Sequence, residues 1–100
     1  MFITVWEFRV RARKRRAFVR AYGSTGQWVK LFQRATGHRT TRLVRDPSNP
    51  LRFFTVDVWV SKRAFAQAKR KFAKEYAALD ARFERLTSRE THIAAFETPS

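Results

Sequence analysis

Asp57 is the residue whose setting asks for a chemical explanation. It stands in the run Arg52-Phe53-Phe54-Thr55-Val56-Asp57-Val58-Trp59-Val60, among β-branched and aromatic neighbours. A carboxylate inside an apolar strand is costly unless it is paired or hydrogen-bonded. Two resolutions are open. One is a structural ion pair with one of the chain's many arginines. The other makes Asp57 a polar group in a ligand cavity, flanked on the same strand face by Thr55 and Trp59.

The aromatic residues pose a similar choice. Trp6, Trp28, Phe32, Trp59, Phe65, Phe72 and Tyr76 are candidates to lie between a sheet and its helices. Aromatics at these spacings are ordinary core material. Three tryptophans in 100 residues, with a tyrosine hydroxyl nearby, can equally line a pocket for a flat aromatic ligand. Other chemistries find no residues. The chain has no cysteine, so disulfides and thiol nucleophiles are excluded. His38 and His92 are the only histidines; neither stands at a metal-ligand spacing, and both read as surface or loop residues. There is no nucleophile elbow, no P-loop and no carboxylate pair spaced for hydrolysis. No metal or cofactor is expected.

The elements that position these residues follow from periodicity. Phe2 to Val10 alternates and reads as a first strand. Arg13 to Tyr22 reads as a short helix closed by Gly23. Ser24 with Gln27 three residues on reads as a capping box opening a second helix through Arg34. A second strand is expected over Arg39 to Arg45, a turn at Asp46-Pro47-Ser48-Asn49-Pro50, and a third strand over Arg52 to Val60. Ser61 can cap a long helix whose apolar positions run from Phe65 to Leu86, with a bend possible near Asp80. Thr87 with Glu90 suggests another cap or a break, and Thr91 to Phe96 reads as a last strand. This order predicts one α+β domain over residues 1–100. Its core is a ferredoxin-like four-stranded antiparallel sheet with helices on one face.

Both faces of the strands are apolar. Phe54, Val56, Val58 and Val60 oppose Phe53, Thr55, Asp57 and Trp59, and Ile3 and Val5 oppose Phe2, Trp6, Phe8 and Val10. Helices from one chain cover only one face, so a second copy is expected on the other, as a homodimer.

Charge adds a further constraint. Lys+Arg number 22 against 8 Asp+Glu, a formal net charge of +14. Such a field attracts polyanions without specifying one, and nucleic acid can bind through it non-specifically. No apolar run is long enough to span a bilayer and the N-terminus does not read as a signal peptide, so a soluble, cytoplasmic protein without membrane contact is expected.

In order along the chain, Trp6-Glu7-Phe8-Arg9-Val10, Tyr22-Gly23, Gly26 with Trp28, Leu31-Phe32, Thr41, Arg45-Asp46, Thr55-Val56-Asp57 with Trp59, Tyr76, Leu79-Asp80, Glu90, Ile93 and Phe96 resemble the antibiotic biosynthesis monooxygenase-like proteins. The resemblance spans about residues 2 to 97. It implies a dimeric α+β barrel, in which ferredoxin-like protomers pair through their sheets. It also implies an oxygenase that oxidises a small cyclic or polycyclic aromatic, quinol-type substrate with O2, without metal or flavin. Trp59 matches the family's aromatic position at the end of strand three. Tyr76 is the hydrogen-bonding partner on the long helix, and Asp57 joins them as a candidate catalytic group. Trp6, Trp28, Phe32, Thr55, Phe65 and Phe72 are the candidate substrate pocket. The haem-degrading branch has a histidine on the long helix and an asparagine on strand one. Neither is present here.

Two alternatives compete. Gly23, Gly26, Val29, Lys30, Phe32 and Thr36-Gly37 also resemble a KH-like nucleic-acid-binding module, in which a glycine loop between helices approaches the phosphate backbone. Its loop positions Ser24-Thr25, however, lack the usual basic residues. The other alternative is a non-enzymatic dimer binding a small aromatic or anionic molecule, with arginines such as Arg9 or Arg42 near the cavity.

Overall fold

The computed structural model describes residues 1–99. Strand β1 (Phe2–Val10) leads through a 3-10 turn to helix α1 (Arg15–Tyr22) and helix α2 (Gln27–Gln33). Strands β2 (His38–Arg45) and β3 (Arg52–Trp59) follow, then helices α3 (Lys62–Lys71) and α4 (Ala73–Phe83), a second 3-10 turn and strand β4 (Thr87–Glu97). The sheet order is β2-β3-β1-β4 and every pair is antiparallel. This is the ferredoxin-like α+β architecture expected from the order of elements.

The pleat sorts the side chains. Phe53, Thr55, Asp57 and Trp59 of β3 are buried, while Phe54, Val56 and Val58 between them are half-buried. On β1, Phe2, Thr4, Phe8 and Val10 are buried on the same side. Two core clusters fasten the helices to this inner face. At one end Phe8, Val10 and Phe53 pack with Phe18 and Tyr22 of α1, Trp28 of α2 and Leu86. At the other, Phe2 and Trp59 pack with Leu31 of α2, Ala68 of α3 and Phe72. The outer face carries Ile3, Val5, Phe54, Val56 and Val58, all half-buried, and the more exposed Val44 and Phe96. It is apolar, and none of these residues belongs to the two clusters that the helices join.

The element boundaries differ from expectation in three places. Gly26, not Ser24, is the N-cap of α2, and no side chain caps that helix. The long helix breaks at Phe72 (φ −106°, ψ 25°), one turn before Tyr76 and well before Asp80. The break drops the Phe72 ring into the cluster with Leu31, Trp59 and Ala68. Strand β4 begins at Thr87 because Thr87, Arg89 and Glu90 pair with Val10, Arg9 and Phe8 of β1. The Thr87–Glu90 contact is a side-chain bond within that strand and caps no helix. The Ser61 cap is found as expected, accepting from the Ala64 N–H at 3.0 Å.

Gly26 has an internal reason to be glycine. A Cβ there would lie 2.3 Å from the Ala21 carbonyl oxygen and 2.5 Å from that of Arg20. Its backbone already turns inward, with the N–H donated to Gly23 O at 2.9 Å. The Gly23–Gly26 connection therefore closes α1 onto α2, and the face that a phosphate clamp would use at Gly26 is filled by α1 carbonyls. Replacing Gly26→Ala forces backbone apart and is expected to destabilise the fold by about 2–3 kcal/mol, read as a lowered urea midpoint. An unchanged midpoint would show that the α1–α2 approach is not a close one.

Candidate active site

A cavity of about 500 Å³ lies between the middle of the inner sheet face and the helices, in the size range of small-molecule pockets. Its position follows from strand register. Thr4 of β1 and Thr41 of β2 both stand opposite Asp57, and Trp6 and Leu43 stand opposite Thr55. The inner face is thus aromatic at its two ends and polar in its middle. The helices are anchored on the ends and bridge the middle.

Of the residues singled out above, Trp6, Trp28, Phe32, Thr55, Asp57, Phe65 and Tyr76 line this cavity. Trp59 and Phe72 do not. Trp59 is 1% exposed and stands behind the lining, edge-on to Phe32 at 5.5 Å and Phe65 at 5.4 Å. Phe72 belongs to the core cluster beneath α3. Thr4, Thr41, Tyr22, Lys69, Asp80 and Glu90 also line the cavity; none was given a site role from sequence, although Tyr22, Thr41, Asp80 and Glu90 are among the residues that carry the family resemblance. Alternation along β1 already placed Thr4 beside Phe2 and Trp6. Thr41, by contrast, meets Asp57 only through the β2–β3 register.

Asp57 makes no ion pair among the described residues. The acidic partners of the arginines are Glu7, Asp46 and Glu75. The expected arginine partner is absent for a geometric reason. Arg9 and Arg42 both stand at outward positions, Arg9 opposite Arg52 and bridging to Glu7, and Arg42 exposed opposite Val56. Asp57 is held instead by hydroxyls. Thr41 Oγ1 donates to Asp57 Oδ1 at 2.6 Å, and the Thr4 hydroxyl also stabilises the carboxylate. Burial pushes the Asp57 carboxyl up to about 6, and the two hydroxyls limit the rise.

The rest of the lining shares this low-dielectric setting. Burial pushes the Tyr76 hydroxyl up to about 12, with Asp80, Asp57 and Glu90 adding to it. Burial, then Glu90, raises Tyr22, whose hydroxyl donates to Glu90 Oε1 at 3.4 Å. Glu90 is raised by burial and by Asp80; Asp80 is raised by burial against the opposing pull of Lys69. Among lysines and arginines only Lys69 lines the cavity, its Nζ 5.4 Å from the ring centroids of both Phe65 and Tyr76. The Trp28 Nε1–H is fully buried and directed toward the Tyr22 hydroxyl, whose rise in pKa it limits.

The histidines differ from a simple surface reading. His38 is half-buried at the start of β2, edge-on to Trp59 at 5.1 Å, and its Nε2 lies 2.8 Å from Thr41 Oγ1. Burial lowers its pKa, while a hydrogen bond to the Thr40 backbone opposes that. His92 is exposed, as expected, but it sits on strand β4 with its ring 5.2 Å from that of Trp6 and lines the cavity. Among the described residues no group of three or more His, Cys, Asp or Glu is arranged to hold a metal ion. Among the described residues no helix is long and apolar enough to cross a membrane.

Comparison with known proteins agrees with this architecture. The family model for antibiotic biosynthesis monooxygenase matches residues 1–75. A candidate antibiotic biosynthesis monooxygenase from Deinococcus radiodurans is 14% identical, with a TM-score of 0.80 over 100% of this chain and 94% of that one. Another from Nitrosomonas europaea is 16% identical, with a TM-score of 0.73 over 98% of each chain. A mutant of SnoaB, a cofactor-independent oxygenase from Streptomyces nogalater, is 22% identical, with a TM-score of 0.66 over 99% of this chain and 93% of that one. At these identities the likeness is one of fold. Comparison with curated proteins finds no match.

The raised Asp57 pKa has a consequence for stability. Below the unfolded value of about 4 the carboxyl is protonated in both states. As pH rises from there through about 6, the unfolded chain ionises first and stability falls. Above that window the loss is complete, at about 3 kcal/mol. Asp57→Asn removes the ionisation and keeps an acceptor for Thr41. The difference in urea stability between Asp57→Asn and the parent is expected to grow in favour of the variant from pH 4 to pH 7. A pH-independent difference would mean that Asp57 ionises freely in the fold.

Proposed function

The chain belongs to the antibiotic biosynthesis monooxygenase family, and on that premise we propose that its cavity oxidises a small cyclic aromatic, quinol-type compound with O2, without metal or flavin. One observation carries the reading: a buried carboxylate without a cationic partner, raised to about 6, inside an aromatic cavity of about 500 Å³. Such a group can take a proton near neutral pH.

Asp57 accepts the proton of the ligand's hydroxyl, whose oxygen keeps the electron pair. The electron-rich ring then reduces O2. A C–O bond forms at a ring carbon that bears hydrogen, the peroxide anion so formed takes up a proton from water in place of the one given to Asp57, and the resulting hydroperoxide loses water to leave a carbonyl. One oxygen atom stays in the product and the other leaves as water. Trp6, Trp28, Phe32 and Phe65 hold the flat ring and keep solvent out. Tyr76, un-ionised well above neutral pH, donates a hydrogen bond to a ligand oxygen. Trp59 acts from behind, fixing Phe32 and Phe65, as a positioning residue.

The apolar outer face, with Ile3, Val5, Phe54, Val56 and Val58, supports assembly of two copies sheet to sheet. Light scattering at high salt should give about twice the 11.9 kDa chain mass; a clean monomer removes this assembly.

The activity test is oxygen uptake with a panel of aromatic quinols. The parent protein should consume O2 and form a carbonyl product, and Asp57→Asn should lower kcat by about 10²–10⁴-fold with binding largely retained. Tyr76→Phe should raise KM more than it lowers kcat. Tight binding of the panel without oxygen uptake would replace the oxygenase by a small-molecule-binding protein.

A further inference from the structure

We propose that Thr41 and His38 form a proton exit that connects Asp57 to solvent at the sheet edge, so that the protonation of Asp57 sets the tautomer of His38. The proposal rests on the reading above, in which Asp57 receives the ligand's proton.

Geometry supplies the path. Thr41 Oγ1 lies 2.6 Å from Asp57 Oδ1 on the cavity side and 2.8 Å from His38 Nε2 on the other. Thr41 stands directly across from Asp57 in the β2–β3 register. His38 is at the start of β2, an edge strand of the sheet, and is half-buried. Asp57 thus faces the cavity, and the chain of bonds runs from it toward the rim of the molecule.

The hydrogen-bond arithmetic makes the three groups interdependent. A hydroxyl carries one proton, and a neutral imidazole carries its proton on one nitrogen only. When Asp57 is ionised, Thr41 donates to it, so His38 must carry its proton on Nε2 to donate to Thr41. When Asp57 is protonated on Oδ1, the order reverses. Asp57 donates to Thr41, Thr41 donates to Nε2, and the imidazole carries its proton on Nδ1.

One proton leaves as follows. The ligand's O–H bond breaks and its proton joins Asp57. Rotation of the carboxyl turns that proton toward Thr41, while the imidazole proton exchanges to Nδ1 through water. A shift of one proton along each bond then restores the Asp57 carboxylate and protonates Nε2. The Nδ1 proton passes to water, and the starting arrangement returns with one proton delivered.

Other charged groups do not compete for these positions. Around the cavity, α1 contributes Tyr22, α3 contributes Lys69, α4 contributes Tyr76 and Asp80, and β4 contributes Glu90 and His92. Among the described residues none of them is hydrogen-bonded to Asp57 or to His38; the other partner of the His38 ring is the Thr40 backbone, an acceptor that favours a proton on the nitrogen Thr41 does not engage and so biases the exchange toward the Nδ1–H form. From β1 only the Thr4 hydroxyl reaches the carboxylate.

The test needs no substrate, so its outcome is separate from that of the oxygen-uptake screen. The full chain is labelled with ¹⁵N-histidine and both ring nitrogens of His38 are followed against pH, with His92 as internal reference. As pH falls through about 6, His38 Nε2 should change from protonated to bare and Nδ1 from bare to protonated. The exchange should vanish in Thr41→Val and in Asp57→Asn and return in Thr41→Ser. A His38 that keeps one tautomer throughout, or whose nitrogens shift together by simple protonation, overturns the proposal. So does a Thr41→Val variant that behaves like the parent. If the exchange is seen and no quinol is oxidised, the relay stands and the oxygenase reading falls.

Discussion

The structure depends on keeping one carboxylate on the inner face of the sheet without a cation. Asp57 is buried, its neighbours along β3 are apolar or aromatic, and the pleat carries Arg9 and Arg42 to the other face. Hydroxyls from two strands take the place of a counter-ion. That solution is local but its effects are not. Helices packed flat on Asp57 and its threonines would bury polar groups under hydrocarbon at a cost of about 1–3 kcal/mol for each group left unsatisfied. They rest instead on the aromatic ends, and the cavity is the space between. The same absence of a cation raises the carboxyl into the range where it can exchange a proton near neutral pH.

The sheet sorts charge as thoroughly as it sorts apolar groups. The chain has 22 basic and 8 acidic residues, yet three of the acids and only one of the bases line the cavity. The basic surface thus screens an interior of opposite sign. Polyanion attraction and ligand chemistry are then properties of different faces, which is why net charge was a poor guide to the site. The glycine connection points the same way. It looked like a clamp because its spacing matched one, whereas Gly26 serves the close approach of α1 and α2.

Much of this was legible in the sequence because it is local. Period-two alternation located β1 and β3 and placed Asp57, Thr55 and Trp59 on one face. The turn at residues 46–50 and the Ser61 cap were visible for the same reason. What could not be read depends on pairing or packing. Thr41 reaches Asp57 across 16 positions of sequence, and His38 enters only through Thr41. Trp59 is on the expected face, but Phe32 and Phe65 come between it and the cavity. The break at Phe72 has no proline or glycine to announce it. It serves the core, letting Phe72 turn inward while Tyr76, four residues on, lines the cavity.

An acid-lined pocket looks unsuited to the proposed reaction, which makes an anion, and for that proposal the resolution lies in where the charge goes. With Asp57 ionised, the cavity already holds its negative charge. Moving a ligand proton onto Asp57 transfers that charge to the ligand and creates no new one, so Asp80 and Glu90 oppose the step less than they oppose a second anion. The transferred charge lands among the groups best placed to receive it. Tyr76 carries a donor, and Lys69 is the one cation of the lining. Asp57 therefore has to remain free of an arginine. A permanent salt bridge would hold its pKa down and fix the negative charge on the protein, where it could neither accept a proton nor pass its charge to a substrate.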